Sequence, residues 1–167
     1  THLPKRTIIK MLRGTEEKKI DVRFKGNRAV GSVTREGKPE PFDEVHGHGM
    51  VDTISSLAWL VARDLKPGET DKLPHHSGSA RYWLWFEAKR VKEVRVPAGA
   101  FDALEIVCTL YRWEEGLPAP KTKPTVDPAT VWKVWLGRDT YRTPVKVEAT
   151  VAILGDVIVE LETRRIK

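Results

Sequence analysis

The sequence predicts a mainly β protein with one helix: a curved antiparallel sheet or partial barrel, with the helix packed on it. Three observations carry that expectation. Short runs alternate apolar and polar residues with period two, as in Ile20-Asp21-Val22-Arg23-Phe24. Turn residues separate the runs at short intervals, in keeping with 11 prolines and 12 glycines. A single stretch, Ile54 to Leu65, repeats its apolar residues at helical spacing.

In chain order, Thr7 to Leu12 reads as a strand, and a polar turn at Arg13 to Glu17 leads to the Ile20/Val22/Phe24 strand. Lys25-Gly26-Asn27-Arg28 is a tight reversal into Ala29 to Thr34, because Gly and Asn tolerate the positive φ of hairpin turns. Glu36 to Pro41 and His46 to Met50 read as loop. The helix follows, with Asp52 as N-cap and an apolar stripe of Ile54, Leu57, Ala58, Val61 and Leu65. Arg63 and Lys66 suit its negative end, and Pro67-Gly68 stops it. Glu69 to Ser79 reads as polar loop.

Arg81 to Glu87 returns to strand with two apolar faces, Tyr82/Leu84/Phe86 and Trp83/Trp85. A central hairpin then joins Val91–Val96 to Leu104–Leu110 around Pro97-Ala98-Gly99. Opposing Val96 with Leu104 and Val94 with Ile106 matches apolar residues and sets Arg95 across from Glu105. Glu114 to Pro128 is a proline-rich excursion, and Thr130 to Leu136 is a second two-sided strand. Gly137 to Pro144 is a turn. The last strands, Val145 to Ile153 and Val157 to Leu161, both carry apolar residues at odd positions, so odd must face odd. A two-residue turn at Gly155-Asp156 would break that match, and a three-residue loop or a bulge is expected.

A chain of 167 residues suits one β-rich domain spanning 1–167, and 40% hydrophobic with 31% charged residues argues against disorder. The net charge of +6 admits an acidic partner, yet the basic residues are scattered. Their densest clusters, Lys89-Arg90-Val91-Lys92 and Arg164-Arg165-Ile166-Lys167, are short, which argues against nucleic acid. No apolar run approaches the roughly 20 residues of a membrane span. The lone Cys108 lies in the Leu104–Leu110 apolar series and reads as a buried, inert thiol.

Candidate chemistry is sparse. His46-Gly47-His48 and His75-His76 could supply three nitrogen ligands to an open zinc site, as a metal-dependent hydrolase would need. The spacing is that of no recognised zinc motif, and solvated loop histidines are the simpler reading. No nucleophile elbow or phosphate-cradling loop is present, and Asp52 and Asp139 have structural reasons to stand at a helix start and in a turn. No catalytic residue and no cofactor is therefore expected. The stronger signal is six tryptophans. Trp83 and Trp85 share a strand face, Trp113, Trp132 and Trp135 hold nearby strand positions, and Arg138, Asp139, Tyr141 and Arg142 form a polar loop beside Trp135. Trp83, Trp85 and Trp135 are expected to share a hollow for a lipid-like or sugar-like ligand, with Arg138 and Arg142 beside it. The competing reading is a core that happens to use Trp.

Several segments carry a family resemblance: Thr1-His2-Leu3-Pro4-Lys5-Arg6, Asp52-Thr53-Ile54-Ser55-Ser56-Leu57 with Arg63, Val94-Arg95-Val96-Pro97-Ala98-Gly99-Ala100-Phe101, and Val134-Trp135-Leu136-Gly137-Arg138-Asp139 with Arg142, Pro144 and Val145. Together they resemble a family of exported bacterial proteins, the domain of unknown function 3108. The resemblance implies a β-rich protein of the periplasm or outer envelope, similar in architecture to curved-sheet lipoprotein carriers, and it implies no catalytic residues. Members of that family usually have further strands before the segment matching Thr1 to Arg6. The chain is accordingly expected to be a C-terminal portion with one sheet edge open or covered by another chain. Three functions remain in view: an envelope protein binding an amphiphilic ligand or an envelope partner, the histidine-based metal hydrolase, and an assembly protein joined through open strand edges.

Overall fold

The computed structural model describes residues 5–13, 16–45, 49–78, 80–113, 119–124, 130–151 and 155–163. Among them are ten strands and one helix. Four strands form an antiparallel meander: β1 (Arg6–Arg13), β2 (Glu16–Lys25), β3 (Arg28–Arg35) and β4 (Lys38–Val45), in spatial order β1-β2-β3-β4. The helix α1 (Thr53–Ala62) and strand β5 (Thr70–His76) follow. Strands β6 (Arg81–Val96), β7 (Gly99–Arg112), β8 (Thr130–Gly137), β9 (Pro144–Val151) and β10 (Gly155–Glu160) complete a six-stranded sheet in the order β10-β9-β8-β7-β6-β5. The expected class, mainly β with one helix packed on antiparallel sheet, is what the chain forms, with two open sheets in place of one. Two compact units result, one from Thr1–Leu57 and Leu73–Tyr82, the other from Ala58–Lys72 and Trp83–Lys167.

In the first unit, period-two alternation builds the core directly. Ile20 opposes Val33, and Phe24 opposes Ala29. Ile20, Val22, Ala29 and Val33 are buried, with Ile9, Phe24 and Phe42 packed against them. Gly31 faces Val22, and a Cβ there would run into the Asp21 carbonyl, so no other residue fits that place without moving the strand. The reversal between β2 and β3 is Gly26-Asn27, as the turn residues predict.

Two segments expected to be loops are strands. Most of the Glu36 to Pro41 segment belongs to β4, and because β4 is an end strand the missing N–H groups of Pro39 and Pro41 cost no ladder bond. Among the described residues its ladder partners are on β3, with Phe42 opposite Gly31. Glu69 to Ser79 contains β5, with Leu73, His75 and His76 buried. Here the Pro74 carbonyl still accepts from the Val51 N–H at 2.9 Å, and the His76 N–H donates to the Val51 carbonyl at 2.9 Å, a short parallel bridge.

Asp52 is the N-cap it was expected to be: its Oδ1 accepts the Ser55 N–H at 2.7 Å. The helix is one turn shorter than the spacing suggested, ending at Ala62, and its buried face is different. Ile54 is 73% exposed, while Ser56 and Leu60 are fully buried. The Ser56 hydroxyl satisfies itself on the Thr53 carbonyl at 2.8 Å, which makes its burial tolerable. On the sheet side Trp59 meets Phe86 edge-on, centroids 5.1 Å apart.

The central hairpin of the second unit is tighter than expected. Only Pro97 and Ala98 separate β6 from β7, and Gly99, at φ 124°, lets the chain rejoin a strand at once. So short a reversal leaves no room for the loop of residues 97–103 that opposing Val96 with Leu104 and Arg95 with Glu105 would need. Glu105 accordingly pairs with Lys92 at 3.4 Å and Arg90 at 3.9 Å, while Arg95 turns to Glu93 at 2.8 Å. The register expected from apolar parity is corrected by this geometry. The last hairpin holds to expectation: Val157 faces Ala149 and Val159 faces Val147, odd against odd, with three residues between Val151 and Gly155. A register shift at Trp135/Leu136 lets β9 begin at Pro144 opposite Leu136. Among the described residues no helix is long and apolar enough to cross a membrane.

Candidate functional site

In the second unit, the chain leaving α1 and the turn between β8 and β9 line one cavity of about 400 Å³. Its lining divides by exposure. Buried Leu65, Leu104 and Leu136, with half-buried Val91, give it an apolar floor; Asp64, Lys66 and Arg138 are exposed and Arg142 is half-buried, giving a charged rim. Apolar floor and charged rim have different origins in the chain. Leu104 and Leu136 are direct partners across β7 and β8, so the sheet presents them side by side. The rim comes from two irregular segments that the sheet brings into register.

The β8–β9 turn is built to hold its arginines. The Gly137 N–H donates to the Thr143 carbonyl at 2.9 Å, closing the turn, and the Arg138 N–H donates to the Asp102 carbonyl at 3.0 Å, fixing it to β7. Asp139 serves the turn itself: its Oδ1 accepts the Tyr141 N–H at 2.8 Å and the Thr143 hydroxyl at 3.4 Å. Arg142 sits at φ 48°, the left-handed region, and its guanidinium forms an ion pair with Asp64. The neighbouring Arg63 is engaged elsewhere, 4.5 Å over the Trp59 ring and bonded to Asp71 at 3.1 Å. Lys66 and Arg138, both exposed, stand beside the pair of Arg142 and Asp64 on the rim. Three cations thus stand with two carboxylates, and each carboxylate already has an internal task.

Arg138 and Arg142, picked out from sequence, therefore meet in one site. The tryptophans picked out with them do not line it. Trp135 is buried against Val94, Ala103 and Val145, its ring flanked by Lys92 at 5.2 Å and Lys146 at 5.8 Å. Trp85 is buried with the Lys72 amine 5.9 Å from its ring, and half-buried Trp83 stacks on Trp113 at 4.5 Å and 12°. Sequence reasoning missed Asp64, Lys66 and the floor. Only the Pro67-Gly68 helix stop pointed to an irregular segment there.

The histidines divide. His46 and His48 lie outside the described residues. His75 and His76 are both only 1% exposed, in the first unit. His76 Nδ1 accepts the Gly78 N–H at 3.0 Å, so neutral His76 carries its proton on Nε2, which stands 3.5 Å from Glu44 Oε2. Arg81 Nε lies 3.5 Å from that same oxygen. Burial, helped by nearby His76 and opposed by Asp52, depresses His75 to about 4, which keeps it neutral at ordinary pH. Burial alone would raise Asp52, but the Thr7 hydroxyl and the Ser55 amide outweigh it and hold the carboxyl below its usual range. Among the described residues no group of three or more His, Cys, Asp or Glu could hold a metal. Cys108 is fully buried, and burial pushes its thiol up, away from reactivity.

No curated protein and no solved structure matches the chain. A family model does, over residues 2–162, nearly the whole sequence. The chain belongs to the family described as Protein of unknown function (DUF3108).

Proposed function

We propose that the protein is a non-catalytic component of the bacterial cell envelope, in the periplasm or outer envelope, that binds an anionic amphiphile. The observation that carries this reading is the cavity with Lys66, Arg138 and Arg142 on its rim and Leu65, Leu104 and Leu136 on its floor. Such a site matches a ligand with one charged head and an apolar body. About 400 Å³ is at the low end of the roughly 300–1,000 Å³ of small-molecule sites, enough for one short chain or ring system and too little for a whole two-chain lipid. The envelope location rests on the resemblance of the Asp52–Leu57, Val94–Phe101 and Val134–Asp139 motifs to exported proteins.

Native mass spectrometry of protein purified without detergent, compared with its denatured mass, tests the reading. Extra mass of single-chain amphiphile size supports it. Bare protein that also fails to take up added amphiphile removes it.

A second reading has its own observation. Strand β10 ends its sheet and exposes Ile158 (57%) and Val159 (60%). An end strand apolar on both faces invites pairing with another chain. The same spectra would then show a dimer or higher species with no added small mass.

A further inference from the structure

The ion pair between Arg142 and Asp64 joins two residues that both line the cavity. Arg142 is the less exposed of the two, with 26% of its side chain open to solvent against 84% for Asp64. A guanidinium at the edge of an apolar cavity is the group best suited to a planar anionic head, and here a carboxylate of the chain itself already occupies it. We infer that Asp64 is an internal placeholder: its carboxylate holds Arg142 until a carboxylate-headed amphiphile displaces it.

The inference rests on the proposed binding role and adds a ligand class and a control on affinity. Asp64 is well suited to leave. It follows the last residue of α1, Ala62, by two positions, in irregular chain, and the α1 end has no basic residue in its last turn. It belongs to no strand or helix, so swinging out breaks no backbone ladder. Arg142 is the fixed partner: its N–H donates to the Asp139 carbonyl at 3.0 Å, and its backbone is set by the closed β8–β9 turn. Exchange of one carboxylate for another leaves the charge on Arg142 balanced throughout, which keeps the desolvation cost small. A phosphate head would also pair with Arg142, but would bring a second negative charge close to Asp139 and Asp64. The carboxylate is therefore the preferred head.

The test is calorimetric titration of the whole chain with dodecanoate, with dodecyl phosphate and dodecanol as head-group controls, on wild type, Asp64→Asn and Asp64→Ser. With the competing charge removed, both variants should bind dodecanoate roughly two- to fivefold more tightly than wild type, the range expected of one exposed ion pair. Dodecanol should bind alike to all three. Wild-type binding of dodecanoate without a gain in either variant overturns the placeholder and leaves the binding role standing. A gain for dodecyl phosphate larger than for dodecanoate overturns the carboxylate preference. No binding by any of the three proteins overturns the binding role, and the placeholder with it. Thermal unfolding of each variant guards the comparison: a large drop in Tm for both would mark the pair as a structural clasp and count against the inference.

Discussion

The His76 imidazole lies 19° from parallel to the Phe42 ring with centroids 5.9 Å apart, and it meets Phe24 edge-on at 5.8 Å. A titratable side chain is thus packed as one more aromatic of the first core. Replacing His76 with Ala should cost roughly 3 kcal/mol, as for other buried aromatic truncations, because the ring contacts go and the Gly78 N–H loses its acceptor. His76→Phe should cost less, since it keeps a ring between Phe24 and Phe42 while losing the Gly78 bond and the approach to Glu44. Urea unfolding of the two variants checks the order; equal losses would mean that packing is not what holds His76.

His75 gives the fold a defined acid sensitivity. Its folded value of about 4 lies below its ordinary 6.5, so the unfolded chain binds the extra proton. Stability is therefore full above pH 6.5 and falls as pH drops from 6.5 toward 4, by at most about 3 kcal/mol for a shift of this size. His75→Gln should flatten that part of the pH–stability curve. Chemical denaturation at pH 7.5, 6 and 5 measures it, and a wild-type curve as flat as the variant's would contradict the assignment.

Asp52 caps α1 and also accepts the Thr7 hydroxyl, tying the helix start to β1. Asp52→Ala should destabilise by about 2 kcal/mol, the upper end of the range for helix caps, since two donors lose their acceptor. Asp52→Asn keeps an acceptor oxygen and should cost less than half as much. Thermal unfolding of both variants gives the comparison.

Gly31 should be the least replaceable glycine of the meander. Gly31→Ala drives a methyl into the Asp21 carbonyl, and an overpacking cost of about 1–3 kcal/mol is expected. Gly26→Ala at the β2–β3 turn meets no atom; its cost comes from φ 59° alone and should be smaller. Paired Tm measurements decide between them.

Much of this architecture was legible because it depends on neighbours in sequence. The Ile20/Val22/Phe24 alternation, the Gly26-Asn27 reversal and the Asp52 cap are local signals, and each is realised. The odd-against-odd match of β9 with β10 follows from side-chain parity, which a strand cannot change. Failures came where position in the sheet overrules local chemistry. Pro39 and Pro41 are admissible only because β4 is an end strand, and a sequence does not say which strands end a sheet. His75 and His76 look solvated until Phe24, Phe42 and Gly78 close around His76. Parity alone could not choose the hairpin register, because Gly99 permits a reversal of two residues where a longer turn was expected. The site was half legible: Arg138 and Arg142 stand in one turn, whereas Asp64, Val91 and Leu104 join them only through tertiary contacts.

The most direct test of the binding role is a nuclear magnetic resonance titration of backbone amides with dodecanoate. Shifts concentrated at Leu65, Lys66, Leu104 and the Leu136–Arg142 segment are the predicted result, and they should vanish in an Arg138→Ala/Arg142→Ala variant that keeps its fold. Shifts centred on Trp83, Trp85 and Trp113, or none at saturating dodecanoate, would contradict it.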